Sequence, residues 1–168
     1  MKLLKQITDR KHFATDGDTA LKVRESVRAI LLDENDLVAV LHLEKVNFYT
    51  LPGGGIDEGE TVEQALAREM QEETGCDCEI IRPLGRIEEE SEEHNWLPGL
   101  SYCFLAKIKG QKGVPRLTEM EADEGTKVQW YDLHEALKLI ENQDVGEDAI
   151  LRIVQERDVT ILKEASNQ

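Results

Sequence analysis

The sequence has few cysteines and few basic residues, and each shortage excludes a class of protein. It contains 3 cysteines, an odd number in which Cys76 and Cys78 lack the spacing of a four-ligand zinc site, so we expect reduced, partly buried thiols. Its 20 basic side chains face 35 acidic ones, for a formal net charge of −15. This balance argues against a nucleic-acid polymer as partner, because clustered Lys and Arg supply most of that affinity.

Long apolar runs are also missing. The sequence has no stretch of about 18 apolar residues that could span a bilayer and no secretory signal at its start, so we expect neither membrane attachment nor secretion. A hydrophobic fraction of 40% with 33% charged residues is typical of a globular protein. We therefore expect one domain over residues 1–168, located in the cytoplasm.

The hydrophobic pattern predicts a strand pair early in the chain. Residues 23–32 alternate and then become continuously apolar, residues 33–36 are typical of a turn, and residues 37–43 return as a strand. Together these segments predict a hairpin.

A helix is predicted over residues 61–74. Thr61 and Gln64 have the spacing of a capping box, and Gly75 supplies a C-terminal stop. Further elements are predicted as strands at 79–87, 101–109 and 127–131 and as helices at 133–141 and 147–157, whereas residues 1–20 give no clear pattern. The order of these elements indicates a mixed sheet between helical layers.

Three carboxylates of the predicted helix share its apolar face. Glu69, Glu72 and Glu73 are spaced i, i+3 and i+4, so they continue the apolar stripe of the first turns. Burying an unpaired carboxylate is costly, and Arg68 alone cannot neutralise three. Carboxylates beside a backbone carbonyl are hard oxygen ligands, which favours a site for Mg²⁺ or Mn²⁺. The alternatives are a solvated acidic helix end and a structural Ca²⁺ site, which would need more oxygen ligands.

A glycine-rich loop comes directly before this helix. Gly53, Gly54 and Gly55 lack side chains, so their backbone can approach a phosphate closely, and the following helix N-terminus favours anions. Taken alone, the glycines are more typical of a flexible turn. Next to the carboxylates, they predict a substrate-binding loop.

Residues 54–76 resemble the Nudix box, G-x5-E-x7-R-E-U-x-E-E-x-G-U. All fixed positions are present, and they are Gly54, Glu60, Arg68, Glu69, Glu72, Glu73 and Gly75. Met70 and Cys76 fill the two positions for a bulky apolar residue, Cys76 being the weaker fit. The chain thus resembles the MutT-like Nudix hydrolase superfamily, which implies an α/β fold, the α/β/α sandwich with a central mixed β-sheet.

The resemblance also implies roles for individual residues. The implied metal ligands are the carbonyl of Gly53 and the carboxylates of Glu69, Glu72 and Glu73. Arg68 would orient these carboxylates in the catalytic site through an ion pair, and Glu60 would support the box. Members often add a glutamate from outside the box as a metal ligand or general base.

For that additional glutamate we predict Glu124, which lies shortly before the strand that contains Trp130. Glu119 and Glu121 compete with it for this role. Either Glu69 or Glu124 would accept the proton of the attacking water.

The activity implied by the resemblance is hydrolysis of the pyrophosphate bond in a nucleoside diphosphate linked to another moiety, such as a nucleotide sugar or an NTP. Mg²⁺ or Mn²⁺ would be the cofactor, and the substrate would be a small nucleotide. The resemblance also allows a homodimer. A module that senses nucleotides without cleaving them is the alternative from another class, and a broad NTP-cleansing enzyme is the alternative among enzymes.

Features that would identify the substrate are weak. Phe48, Tyr49, Trp96 and Tyr102 either stack on a base or belong to the core. Residues 88–93, almost entirely glutamate, predict a solvated acidic loop. The alternative is a mobile loop over the site that adds a metal ligand or brings in His94.

Overall fold

One mixed sheet forms the centre of the molecule, and the computed structural model describes residues 1–8, 23–90 and 99–166. The strands are β1 (Leu3–Thr8), β2 (Arg24–Leu32), β3 (Val38–Leu43), β4 (Phe48–Thr50), β5 (Cys78–Glu90), β6 (Gly99–Ile108) and β7 (Thr126–Tyr131). The helices are α1 (Val62–Thr74), α2 (Glu119–Glu124), α3 (Leu133–Asn142) and α4 (Ala149–Ser166). In these described segments, no helix combines the length and the apolar character needed to cross a bilayer.

The strands of the sheet run in both directions. Their order is β1, β5, β6, β2, β3 and β4, and β7 pairs with β3. Strand β1 is parallel to β5 and β2 is parallel to β6, whereas the other pairs are antiparallel. The predicted mixed sheet is therefore confirmed.

Apolar side chains cover both faces of the sheet. On one face, β2 and β6 pack against α1 through residues that include Val27, Ala29, Leu31, Ala65, Leu66, Met70 and Phe104. On the other face, β2 and β3 pack against α3 and α4 through residues that include Ile30, Val38, Val40, Ala136, Ile140, Ile153 and Ile161. Because successive side chains of a strand point to opposite faces, β2 separates these two layers. The α/β/α sandwich is confirmed.

The predicted hairpin is wrong for most of its length. Strands β2 and β3 are joined by a turn but share only the pair Leu32 and Val38. The long partner of β2 is β6, from Arg24 opposite Gly99 to Leu32 opposite Lys107. Parallel partners are distant in the sequence, so the local alternation of β2 gives no sign of this pairing.

The helix predicted at residues 147–157 is longer, since α4 continues to Ser166. A charged pair, Arg157 and Asp158, is typical of an exposed helix end, yet the two residues are only 3% and 0% exposed. The short elements β4 and α2 and the edge strand β1 were also not predicted.

The prediction of a solvated acidic loop is wrong for residues 88–90, which belong to β5. Glu89 is only 5% exposed; its carboxylate accepts a hydrogen bond from Ser101 Oγ at 2.9 Å and lies 3.6 Å from Arg157 Nη1. Residues 91–93, His94 and Trp96 lie outside the described residues.

The cysteines are free thiols, as predicted. Cys76 and Cys103 are buried and Cys78 is half-buried. Burial raises the pKa of Cys78 to about 11 and that of Cys103 to about 12, so neither sulfur carries the thiolate character of a reactive cysteine.

Candidate active site

Both ends of α1 are capped as predicted, which fixes the position of its carboxylates. The Thr61 hydroxyl accepts from Gln64 N at 3.2 Å, and Gln64 Oε1 accepts from Thr61 N at 2.8 Å. Gly75 ends the helix with a φ of 70°, a left-handed conformation that glycine adopts without steric cost.

The loop before α1 lies along β2. Ala29 N donates to the carbonyl of Pro52 at 3.1 Å, and Val27 N donates to the carbonyl of Gly54 at 2.9 Å. Within the described segments, the carbonyl oxygen of Gly53 between them accepts no hydrogen bond. This oxygen, predicted as a metal ligand, therefore has no hydrogen-bond donor among the described residues.

Two of the three glycines are needed because neighbouring atoms approach closely. A Cβ on Gly53 would lie 2.1 Å from the carbonyl oxygen of Val27, and φ there is 137°. A Cβ on Gly54 would lie 2.2 Å from Glu69 Oε1, whereas the nearest atom to a Cβ on Gly55 would be 3.9 Å away. Gly53 and Gly54 thus allow the loop to touch β2 and α1, and Gly55 is under no such restriction.

Two of the three carboxylates on α1 are buried. Glu69 and Glu73 are each 7% exposed, while Glu72 is partly exposed. Burial raises the pKa of Glu73 to about 8, and burial also raises the pKa of Glu69 although Arg68 opposes it. Glu73 Oε2 accepts from Gly53 N at 2.6 Å, so this amide, predicted to contact substrate, binds the helix.

Arg68 connects the carboxylates to the loop. Its Nη1 donates to Glu69 at 2.7 Å and to Glu72 at 3.2 Å. Its Nε and Nη2 donate to Glu60 at 2.9 and 2.8 Å, and Nη2 also donates to the carbonyl of Gly55 at 2.8 Å. The hydrogen bonds to Glu60 are the main cause that raises the pKa of Arg68 above its ordinary value. These contacts are the ones expected of a residue that orients the two carboxylates.

The oxygen atoms around α1 are of the kind that binds a hard divalent cation. They are three carboxylates within one helical turn and the free carbonyl of Gly53, all oxygen ligands. Among residues 1–8, 23–90 and 99–166, no three acidic, histidine or cysteine side chains converge on one point that could hold a metal ion. Arg68 instead binds Glu69 and Glu72, and the Gly53 amide binds Glu73. The donor chemistry fits a cation, and Arg68 competes with that cation for two of the ligands.

The structure distinguishes the candidate glutamates outside the box. The carbonyl of Glu124 accepts from Lys45 N at 3.1 Å, but its carboxylate has no hydrogen bond or ion pair with any described residue. Glu121, whose carboxylate accepts from Thr118 N at 2.7 Å, is close enough for its charge to help raise the pKa of Glu73. Of the three competing glutamates, Glu121 is thus the one whose charge is among the main influences on the pKa of Glu73.

The candidate aromatic residues are dispersed. Phe48 is 2% exposed and lines a cavity beside the box. Tyr49 stacks on His42 with ring centroids 4.2 Å apart, and Tyr102 donates to Glu25 at 2.6 Å. Phe48 alone among these three borders the same cavity as Glu73.

That cavity contains functional groups that sequence reasoning missed. It measures about 200 Å³ and brings Arg28 and Arg157 next to Gly53 and Glu73. Burial first, and then the charge of Arg157, lowers the pKa of Arg28 to about 10. Arg28 lies two residues before the buried Ile30 in β2, so both side chains point to the same face of the sheet. An arginine at a strand position that faces the core was the sequence feature that could have revealed this cavity.

The chain is similar in sequence to known proteins of one family. The NUDIX domain model matches residues 22–153. An NAD-capped RNA hydrolase of Vibrio atlanticus is 32% identical over 105 residues, which are 62% of this chain and 35% of that protein. An 8-oxo-dGDP phosphatase of Homo sapiens is 34% identical over 109 residues, 62% of this chain and 31% of that protein. The chain thus spans about a third of the length of these relatives.

A solved structure shows the same fold. The NUDIX hydrolase from Nitrosomonas europaea superposes with a TM-score of 0.64 at 17% identity, over 87% of this chain and 90% of that one. The chain belongs to the Nudix family, and the resemblance of its box to that family is confirmed. Nudix hydrolases generally use divalent metal ions.

Proposed function

We propose that the chain is a metal-dependent Nudix pyrophosphohydrolase that cleaves the diphosphate bridge of a small nucleoside diphosphate derivative. One observation carries the proposal: α1 presents Glu69 and Glu72, which Arg68 links, and Glu73, which accepts from the amide of Gly53. Two of these carboxylates are buried. A fold that keeps several carboxylates away from water needs positive charge to compensate for them, and Arg68 and Arg28 supply two charges for three carboxylates.

The residues of the site have separable tasks. Glu69, Glu72, Glu73 and the carbonyl of Gly53 would hold Mg²⁺ or Mn²⁺, which neutralises phosphate charge and lowers the pKa of the attacking water. Arg68 keeps Glu69 and Glu72 in position and is itself held by Glu60. Gly54 allows the loop to approach Glu69 closely.

Attack occurs in line with the bond that breaks, and a carboxylate takes the proton of the water. Glu69 and Glu124 were the candidates predicted for this step. Glu119 and Glu121 competed with Glu124 for this role, and the charge of Glu121 influences Glu73, which supports Glu121 as a further candidate. Parallel Glu69→Gln, Glu121→Gln and Glu124→Gln variants will identify the base as the one whose loss removes the fall in rate at low pH, where a carboxylate base becomes protonated.

A small nucleotide is the substrate class that best suits the charge of the protein. The relatives named above act on NAD-capped RNA and on 8-oxo-dGDP, so both a polymer and a free nucleotide occur among them. A formal net charge of −15 repels a polymer of phosphates, whereas one diphosphate needs only a local cation. The cytoplasmic location and the homodimer stay predictions.

The test is a phosphate-release screen with Mg²⁺ and with Mn²⁺ over NTPs, nucleotide sugars, ADP-ribose, dinucleoside polyphosphates and CoA. We expect hydrolysis that stops in excess EDTA and is lost in a Glu72→Gln/Glu73→Gln variant that still folds. Hydrolysis that persists in EDTA would contradict the metal-dependent mechanism. If both proteins are inactive while nucleotides bind, the alternative of a nucleotide-sensing module is correct.

A further inference from the structure

The cavity of about 200 Å³ beside the box has the size of one part of a substrate. Its apolar walls are Leu43, Phe48, Leu51, Leu151 and Val154, and its polar ones are Arg28, Thr50, Gly53, Glu73 and Arg157. Sites for whole drug-sized ligands occupy roughly 300–1,000 Å³. Because Gly53 and Glu73 border it, a group in this cavity would be attached to a diphosphate bound at the box.

Arg28 lines this cavity with most of its donors unused. A guanidinium has five N–H donors, and the only hydrogen bond of Arg28 to a described residue is from Nη1 to the neighbouring carbonyl of Val27 at 3.0 Å. Its Nε is buried with no partner, and it forms no ion pair with a described carboxylate. A partly buried charge with so few partners is costly for folding, so a ligand that supplies acceptors would stabilise it.

Arg157, which also lines the cavity, contacts Asp158, Glu89 and Thr50. Its Nε donates to Asp158 at 2.8 Å, and Nη1 lies 3.6 Å from Glu89. Glu89 and Asp158 thus compensate Arg157, and the charge of Glu73 acts on Arg28. Three carboxylates therefore lie near two guanidiniums, so the cavity does not favour a second phosphate. It favours a neutral planar group that offers hydrogen-bond acceptors and apolar faces.

We propose that Arg28 determines the specificity of the site by donating to the acceptor edge of a guanine-type base. The inference rests on the proposed function, because the diphosphate of the same nucleotide would lie at the box. Guanine presents two neighbouring acceptors, O6 and N7, which match the fork of a guanidinium, whereas adenine replaces one of them with an amino donor. Arginine has no acceptor for that donor, so the pocket should select guanine over adenine.

The test is calorimetric binding of guanosine, adenosine and inorganic phosphate, none of which contains a diphosphate bond. The wild type is compared with Arg28→Met, with Arg28→Lys, which keeps the charge without the fork, and with Arg82→Met, which removes an arginine from β5 outside the cavity. A bidentate pair provides about 1–3 kcal/mol of discrimination, so we expect guanosine to bind about 5- to 150-fold more tightly than adenosine. Arg28→Met should abolish this preference, Arg28→Lys should weaken it, and Arg82→Met should leave it unchanged. Thermal unfolding verifies that each variant is folded.

Other outcomes would overturn the inference. Equal binding of the two nucleosides, or a preference that survives in both Arg28 variants, excludes Arg28 as the determinant. Binding of phosphate alone would show that the cavity is an anion site. Hydrolysis of GTP and of ATP is measured separately. If the wild type hydrolyses both and Arg28→Lys leaves the ratio of the two rates unchanged, the inference is rejected and the proposed function stands. If guanosine binding depends on Arg28 but no nucleotide is hydrolysed, the inference is supported and the proposed hydrolase activity is rejected.

Discussion

At the scale of single residues, Gly54 determines where the carboxylate of Glu69 can lie. A Cβ at this position would be 2.2 Å from Glu69 Oε1, the far end of a side chain that can rotate. Gly54→Ala should therefore displace Glu69 from Arg68 at little cost to folding. We expect the hydrolysis rate to fall at least about tenfold, since a catalytic group moved by about 1 Å costs on that order or more.

Gly55→Ala is the matched control, because the nearest atom to its Cβ would be 3.9 Å away. It should keep both the wild-type rate and the wild-type unfolding temperature. If Gly54→Ala also keeps the wild-type rate, the position of Glu69 is not important for the reaction.

Asp33 shows how a buried carboxylate stays ionised. Burial alone would raise its pKa, but hydrogen bonds from Lys112 Nζ at 2.6 Å, Asn35 N at 2.8 Å and Leu37 N at 2.9 Å outweigh burial and lower the pKa below its ordinary value. A carboxylate with a lowered pKa in the folded state stabilises that state at neutral pH, and the stabilisation is lost as the pH falls through the folded pKa.

We expect Asp33→Asn to lower the free energy of unfolding at pH 7 by about 1.5–3 kcal/mol, the contribution of hydrogen bonds to a charged group. The difference from wild type should begin to shrink as the pH falls below the ordinary aspartate pKa of about 3.9, where the unfolded chain takes up the proton, and should continue to shrink until the pH lies below the lowered pKa of folded Asp33. Urea unfolding between pH 2 and pH 8 measures both effects. Asp36→Asn is the control: its partner is Lys107 at 2.9 Å, but its side chain is 74% exposed, so it should change stability little at any pH.

The residues of the box could be predicted because their chemistry is local. One helical turn brings Glu69, Glu72 and Glu73 together wherever α1 lies in the fold. Arg28 and Glu89 are different, because the charged groups around them come from elements far away in the sequence. No spacing within β2 or β5 indicates that α4 supplies Arg157 between them.

At the scale of elements, α4 is attached to the sheet by a buried polar network. Asp158 accepts from Arg157 Nε at 2.8 Å, from Thr50 Oγ1 at 2.6 Å and from Leu51 N at 2.9 Å. Thr50 and Leu51 lead directly into the loop at Gly53. The helix thus holds the chain that carries a predicted metal ligand.

Asp158→Ala should lower the free energy of unfolding by about 3–5 kcal/mol, the cost of removing one partner from a buried ion pair. Its neighbour Glu156 supplies the control, because it pairs with Lys5 at 2.6 Å through side chains that are 47% and 42% exposed. Glu156→Ala should cost less than about 1 kcal/mol. Similar losses in the two variants, measured by chemical denaturation, would show that the network does not anchor α4.

The elements that could be predicted are those with a complete local signal. The capping box of Thr61 and Gln64 and the stop at Gly75 defined α1 to within a residue. Strand β1 gave no clear pattern, because it is stabilised by parallel pairing with β5, whose residues come about 80 positions later. The end of α4 was predicted too early because charged residues are normally exposed, and only tertiary contacts bury Arg157 and Asp158.

At the scale of the whole molecule, the excess of acidic residues makes the folded state sensitive to cations. Part of the formal charge of −15 is concentrated at α1, where Glu69 and Glu73 are held away from water. Self-repulsion of this kind destabilises the compact state. A divalent cation bound at the site would remove it locally, whereas monovalent salt only screens it.

Mg²⁺ or Mn²⁺ should therefore raise the thermal unfolding midpoint of the wild type. A cation at 100 times its dissociation constant stabilises the folded state by about 2.7 kcal/mol, which corresponds to roughly 5–10 °C for a chain of this size. The Glu72→Gln/Glu73→Gln variant should respond only as much as it does to NaCl at equal ionic strength, because it retains the general acidity but not the ligands. Scanning calorimetry of both proteins in the two salts separates binding from screening. If wild type and variant gain the same stability from the divalent cation, the cation acts on the overall charge and α1 is not its site.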